Sequence, residues 1–337
     1  MLMWNAAIIG CGAIYQNHAN ALVRMENTAL CAVCDIDEAA AQRAATQYHC
    51  SYYTNYRALL ADPKVDTVHI CTPHYLHCEM AIAAMRAGKD VLTEKPICLH
   101  PLDAQQMQQV ALETGRRLGV CFQNRYNETA QQAKLLLSGG ALGKVLGAKS
   151  MFTWNRDEAY YNQAAWRGTW AQEGGGVLIN QAIHTLDMLQ WLLGEIQSIS
   201  ANVATRRLYD TIEVEDTADA FIRFKSGAEC VFFASNCYAV TSRVEIEIVT
   251  ELGVLSLSDN ELFWQQNGKE RQSLRQAASA TGEKSCWGLG HETLIRDFYA
   301  KRAADAPFPV DAAEGAKVIR MIDVIYRASA MKRTVFY

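Results

Sequence analysis

The chain has 337 residues, half of them apolar and a fifth charged, an ordinary balance for a globular protein with room for two domains. With 32 basic against 36 acidic residues the net charge is -4, and no block of like charge recommends a nucleic acid or an anionic membrane as partner. No stretch approaches the ~18 uninterrupted apolar residues of a membrane span, and the eleven cysteines, scattered through apolar runs, suit reduced thiols in the cytoplasm better than a disulfide framework.

The opening MLMWNAAIIGCGAIYQ is apolar, lacks a basic leader and breaks at Gly10, so it reads as a first strand and not as a signal peptide. Four more apolar runs follow: TALCAVCD, VDTVHICTP, KDVLTEKP and RLGVCFQ. Helical patterns such as AIYQNHANALVRM, EAAAQRAATQYH and YLHCEMAIAAMRAG lie between them. Near-continuous apolar strands alternating with helices predict a doubly wound parallel sheet covered on both faces, a Rossmann-type α/β domain over residues 1–122. Cys31 and Cys34 form a CxxC inside the second strand with no second pair, which reads as two packed thiols. His74 and His77 form an HxxH that no Cys or acidic cluster completes, so no metal is expected.

The turn after the first strand carries Gly10, Cys11, Gly12, Ala13 and Ile14. Gly10 permits a tight turn, Gly12 lets the backbone approach a pyrophosphate, and the amide dipoles of the helix that starts here favour an anion. Tyr15 stands where the GxGxxG pattern has its third glycine; Tyr15 and His18 read as packing residues of that helix. Asp35 ends the second strand roughly 20 residues on, where a carboxylate grips the adenosine ribose hydroxyls and repels a 2′-phosphate. NAD is therefore expected over NADP. The plainer alternative is that Asp35 caps the helix beginning near Ile36.

After Gln123 the character changes. The helical TAQQAKLLLSGG leads into period-two segments, KVLGAKSMFTW, ISANVATRR, TADAFIRFKSG, AECVFFASN, RVEIEIVTELGVLSLSD and ELFWQQNG, which predict an open, mostly antiparallel sheet. Helical HETLIRDFYAKRAAD and DAAEGAKVIRMIDVIYRASA close this second α/β domain, residues 123–337. Within it, GGGVLINQAIHTLDMLQWL reads as a buried helix interrupted by Asn180, His184 and Asp187, which at 100° per residue share one narrow arc that Trp191 continues. An amide, an imidazole and a carboxylate on one side of a buried helix ask for a chemical reason. The preceding FTWNRDEAYYNQAAWRGTWAQEGGG is too polar and Gly-rich for a core and suits a substrate loop or a surface loop.

With Glu94-Lys95-Pro96 closing the fifth strand, CTPHYLH, the glycine turn and the His-bearing helix, the chain resembles the Gfo/Idh/MocA oxidoreductase family along essentially its whole length. The resemblance implies NAD-dependent chemistry, with Lys95 as the catalytic lysine, Thr72, Pro73 and His77 lining the cofactor cleft and Glu94 and Lys95 near the nicotinamide ribose. It also places Gln123 and Arg125 at the domain junction, Arg125 toward substrate, and brings Trp166 and Arg167 toward cofactor and substrate. Asn180 and His184 would face the lysine. Many members carry aspartate where Asn180 stands, and an amide supplies neither a full charge nor a proton acceptor. His184 is then the expected base, Lys95 its electrostatic partner, and Asn180 an orienting group for substrate or lysine. Asp187 is a candidate for fixing the imidazole tautomer. The implied activity is dehydrogenation of a secondary hydroxyl of a sugar, sugar derivative or cyclitol, by a homodimer or homotetramer joined through the second sheet. Two alternatives stand beside it: a glycosidase using tightly held NAD in an internal redox cycle, and a non-catalytic NAD-bound sensor.

Overall fold

The computed structural model describes residues 3–259, 261–275 and 290–337. The chain forms two compact units, Met1–Gln123 with His291–Ile319, and Asn124–Gly290 with Arg320–Tyr337.

In the first unit the short apolar runs become strands because branched and small apolar residues fill both faces of each. The elements are β1 (Trp4–Ile9), α1 (Tyr15–Val23), β2 (Thr28–Cys34), α2 (Glu38–Tyr48), β3 (Ser51–Tyr53), α3 (Tyr56–Leu60), β4 (Thr67–Ile70), α4 (His77–Arg86), β5 (Asp90–Thr93), α5 (Pro101–Thr114) and β6 (Leu118–Val120). Six parallel strands run in the order β3-β2-β1-β4-β5-β6, with every residue of β4, β5 and β6 buried. This is the doubly wound sheet expected, its order reversing between β1 and β4, the switch point beside which such sheets bind ligands.

The second unit contains α6 (Glu128–Ser138), β7 (Val145–Thr153), α7 (Glu158–Tyr161), α8 (Ile183–Leu193), β8 (Ile196–Ala204), β9 (Thr217–Phe224), β10 (Glu229–Ser235), β11 (Glu245–Thr250), β12 (Gly253–Ser258), β13 (Glu261–Gln266) and β14 (Gln272–Arg275). The helices α9 (Gly290–Ala303) and α10 (Ala312–Met331) follow, then β15 (Val335–Phe336). Nine strands run β14-β13-β12-β11-β7-β10-β9-β8-β15, all antiparallel except the β7–β10 pair. Alternation along β9 and β10 buries Ala220, Ile222, Cys230 and Phe232 and leaves Phe221 and Val231 exposed and directly paired.

One boundary differs from the sequence reading. Residues 291–319 group with the first unit, not the second. The cause is apolar: Leu294, Ile295, Phe298 and Tyr299 are fully buried, and the Val120 N–H donates to the Val310 carbonyl beside edge strand β6. None of the described helices is long and apolar enough to cross a membrane. The ten described cysteines are free thiols, and Cys286 lies outside the described residues.

Candidate active site

The Gly10 turn follows from its surroundings. Gly10 has φ +97°, and a Cβ there would stand 2.6 Å from the Cys71 carbonyl oxygen. Only glycine fits where β1 passes the end of β4. At Gly12 a Cβ would meet no protein atom within 4 Å, so the backbone is open to a ligand there. Ala13 leads to Ile14, the first cap residue of α1, which offers no side-chain hydrogen bond to the first-turn amides. Asp35 follows β2 as expected, and its carboxylate accepts the Cys11 N–H at 2.7 Å and the Asp37 N–H at 2.9 Å. The helix after it is capped by Asp37, which accepts from Ala39, so the simple capping role for Asp35 is not what the structure shows.

At the ends of β4 and β5 the structure rearranges several expectations. Thr72 Oγ1 and Gln123 Oε1 are buried without a protein hydrogen bond, as groups reserved for a bound polar molecule are. Pro73 leads into a short 3-10 turn that starts at His74. His77, expected to line the cleft, is instead fully buried, with Nδ1 2.6 Å from the Pro96 carbonyl and Nε2 2.8 Å from the Thr72 carbonyl. It ties the β4 loop to the turn carrying Lys95. Burial pushes its imidazole below the ordinary range, with the two carbonyls opposing.

Glu94 is also buried, and sequence reasoning missed what surrounds it. Its Oε1 lies 2.9 Å from His18 Nε2 and 3.3 Å from His291 Nε2, while Oε2 accepts the Lys95 N–H at 3.2 Å. His18 Nδ1 is 2.9 Å from His69 Nδ1, and His69 Nε2 is 2.9 Å from the Tyr299 hydroxyl. Burial raises the Glu94 carboxyl, but hydrogen bonds from His18 and His291 outweigh it and hold the group well below the usual carboxylate range. Burial keeps His69 far below an ordinary imidazole, and His18 adds to that. An ionised Glu94 thus sits in a dry imidazole cage directly behind half-buried Lys95. His18, read as a packing residue, is a polar member of this network. Its Nε2, the Glu94 carboxylate and Cys121 Sγ all lie within 4.8 Å of one another, the first two at hydrogen-bond distance.

In the second unit the polar arc forms, but not on one regular helix. Residues 177–182 are turns, and α8 begins only at Ile183. The Asn180 N–H donates to Gly176 at 3.1 Å and the Ala182 N–H to Val177 at 2.8 Å, a widened entry that the glycines before it allow. Asn180, Gln181 and His184 are all buried there. Gln181 Nε2 donates to the Tyr160 hydroxyl at 3.0 Å, and its Oε1 accepts from Asn236 at 2.8 Å.

Asp187 pairs with Arg125. Its two oxygens accept from Arg125 Nε at 2.8 Å and Nη2 at 2.6 Å, inside a pair whose side chains are 6% and 2% exposed. Arg125, expected to meet substrate, makes this bidentate ion pair, with its guanidinium 5.7 Å from the Trp191 ring centre. Trp166 and Arg167 belong to an aromatic loop. The Arg167 guanidinium lies over the Tyr160 ring at 4.4 Å and the Trp166 ring at 4.8 Å.

Sheet order, open glycine turn, Asp35 and orphaned Thr72 and Gln123 define the class, an NAD-binding oxidoreductase of Rossmann type. Residues 4–122 match the oxidoreductase family with an NAD-binding Rossmann fold, and residues 130–256 match the GFO/IDH/MocA C-terminal domain. The chain belongs to the Gfo/Idh/MocA family. It is 35% identical over 200 residues to an uncharacterised oxidoreductase of Synechocystis, a match spanning 59% of this chain and only 53% of that protein. It is 26% identical to D-glucoside 3-dehydrogenase of Escherichia coli K12, over 96% of this chain and 94% of that one. Its fold is similar to the WlbA dehydrogenase of Bordetella pertussis, solved with NADH and UDP-GlcNAcA. That match has a TM-score of 0.90 and 27% identity, covering 100% of this chain and 98% of the other.

Proposed function

We propose that this protein oxidises a secondary hydroxyl of a sugar, sugar derivative or cyclitol, or reduces the corresponding ketone. The observation that carries this reading is the buried cluster of Asn180, Gln181 and His184 at the turn into a largely apolar helix. The names of its relatives, a D-glucoside 3-dehydrogenase and a dehydrogenase solved with UDP-GlcNAcA, supply the substrate class. His184 accepts the hydroxyl proton, a task for which imidazole needs little tuning near neutrality. The Lys95 ammonium stabilises the alkoxide as it develops, and the ionised Glu94 cage holds the backbone from which it projects. Asn180 orients the substrate. The Gly10–Ile14 turn, Asp35, Thr72 and Gln123 hold NAD, which supplies a two-electron acceptor when bound. Exposed Phe221, Val231 and Met151, neighbours by register on the second sheet, support a homodimer or homotetramer. The free thiols favour the cytoplasm.

Purified protein incubated with NAD and a panel of sugars, nucleotide sugars and cyclitols is expected to produce NADH with at least one member. Lys95→Ala and His184→Ala should abolish that signal while leaving NAD binding measurable. Wild-type turnover in either variant sinks the assignment. Aglycone release from chromogenic glycosides with no net NADH supports the internal-redox glycosidase instead.

A further inference from the structure

Asn180 lacks the charge that an aspartate would bring to its position, yet a carboxylate stands directly behind it. Glu173 is completely buried, and no motif singles it out. One of its oxygens, Oε1, accepts from Asn180 Nδ2; the other, Oε2, accepts the Gly168 N–H. Both donors are firmly placed. Gly168 has φ +72°, and a Cβ there would meet Ile212 Cγ2 at 2.6 Å, so its backbone is fixed as glycine. The Glu173 N–H donates to the Thr169 carbonyl at 3.0 Å, closing the turn that aims the carboxylate.

The consequence follows from hydrogen-bond chemistry. The two ends of an asparagine side chain have nearly the same shape, so its flip is decided by its partners. Glu173 Oε1 accepts from Asn180 Nδ2, so the end of Asn180 facing Glu173 is the NH2. The carbonyl Oδ1 therefore points away from Glu173 as an acceptor.

We propose that Glu173 is a positioning residue: its buried carboxylate sets the flip of Asn180 and makes Oδ1 the acceptor that Asn180 presents to the reaction. The catalytic half of this proposal rests on the dehydrogenase reading; the pairing itself does not.

The pairing makes position 180 dependent on position 173. Asn180→Asp sets two carboxylates against each other in a dry site, and such a pair holds on to a proton. In Glu173→Gln with Asn180 retained, the glutamine oxygen accepts from Gly168 and its NH2 faces position 180, so Asn180 turns over: its Oδ1 accepts from the glutamine and its NH2 is what it presents to the reaction. In the exchanged pair, Glu173→Gln with Asn180→Asp, the glutamine oxygen accepts from Gly168 and its NH2 donates to the new aspartate. Both hydrogen bonds are made.

The test is this four-protein cycle, read as thermal midpoint from pH 5 to 8 without ligand, and as kcat and KM on the substrate found in the NADH assay. Asn180→Asp is expected to lower the midpoint, with a deficit that grows as pH rises, because a folded-state carboxyl held protonated loses stability as pH climbs. Glu173→Gln should change the midpoint far less than Asn180→Asp does, yet cut kcat by roughly tenfold or more with KM changing by less than about threefold, because the turned-over amide presents a donor where an acceptor stood. The exchanged pair should recover most of the midpoint lost in Asn180→Asp and most of the kcat lost in Glu173→Gln. A midpoint for the exchanged pair no higher than the worse single variant overturns the pairing. Full kcat in Glu173→Gln, below its melting temperature, overturns the positioning role and leaves Glu173 merely structural. A wild-type protein that produces no NADH removes the dehydrogenase reading and the catalytic half with it, while the midpoints still decide the pairing.

Discussion

Asp187→Asn is the sharpest test of how the second unit is held together. Arg125 and Asp187 are almost wholly removed from water and meet through two parallel hydrogen bonds of 2.8 and 2.6 Å. An amide of the same shape keeps one acceptor but turns an NH2 toward the other guanidinium donor, and it removes the carboxylate charge beside a buried cation. Breaking one side of such a pair costs about 3–5 kcal/mol. Because 1 kcal/mol moves the midpoint of a unit this size by about 2–4 °C, the melting temperature should fall by roughly 6–20 °C. Urea unfolding followed by tryptophan fluorescence is the assay, since Trp191 lies beside the guanidinium. Replacing both partners, Arg125→Met with Asp187→Leu, should restore most of the loss, because two apolar groups need no compensation. A loss below about 1 kcal/mol, the range of exposed pairs, refutes the reasoning. So does a double variant no more stable than Asp187→Asn. If Asp187 instead tuned His184, the substitution would leave stability intact and displace the pH profile of turnover.

Two glycines should separate folding from binding. Gly10→Ala is expected to destabilise the first unit by about 1–3 kcal/mol or more through its positive φ and the contact with Cys71, whereas Gly12→Val should leave the ligand-free midpoint within about 0.5 kcal/mol of wild type and weaken NADH binding by roughly tenfold or more, read by fluorescence titration. Equal effects of the two on stability contradict the open space at Gly12. Burial pushes the Glu215 carboxyl from 4.5 up to about 7, against hydrogen bonds from the Leu178 and Gly176 amides and the Tyr326 hydroxyl. Between those pH values the folded state keeps a proton that the unfolded chain has released, so stability should decline as pH rises from about 4.5 to about 7. Glu215→Gln should flatten that slope; an unchanged slope assigns it to other groups.

The sheet of the first unit was legible because its strands have no solvent face, so their apolar runs leave little choice of partner. The second sheet was legible from alternation. Short β3 and β15 were not, since two or three residues carry no period. The polar arc at Asn180 and His184 was read correctly as buried, but as one helix; the widening at Ala182 depends on glycine conformations that sequence does not fix. The larger misses share one cause. His18, His69, His291 and Tyr299 each look like a lone polar residue in an apolar run, and only the fold brings them to Glu94. Glu173 and Glu215 likewise gain meaning from backbone amides, which have no signature in the sequence. Helical spacing offered Asp187 as a candidate partner of His184, and gave no sign of Arg125, 62 residues earlier, whose bidentate pairing only the fold brings about.

The return of residues 291–319 to the first unit has a consequence for how the protein is made. Tyr299 closes on His69 across 230 positions of chain, and residue 310 bonds beside β6. At ~5–20 residues per second, the ribosome takes on the order of 10–30 s to pass from residue 123 to residue 291. Throughout that interval the nascent Rossmann sheet lacks the apolar face of α9 and displays His18, His69 and the flank of β6 uncovered. The Rossmann unit is therefore completed only after residues 124–290 have been made.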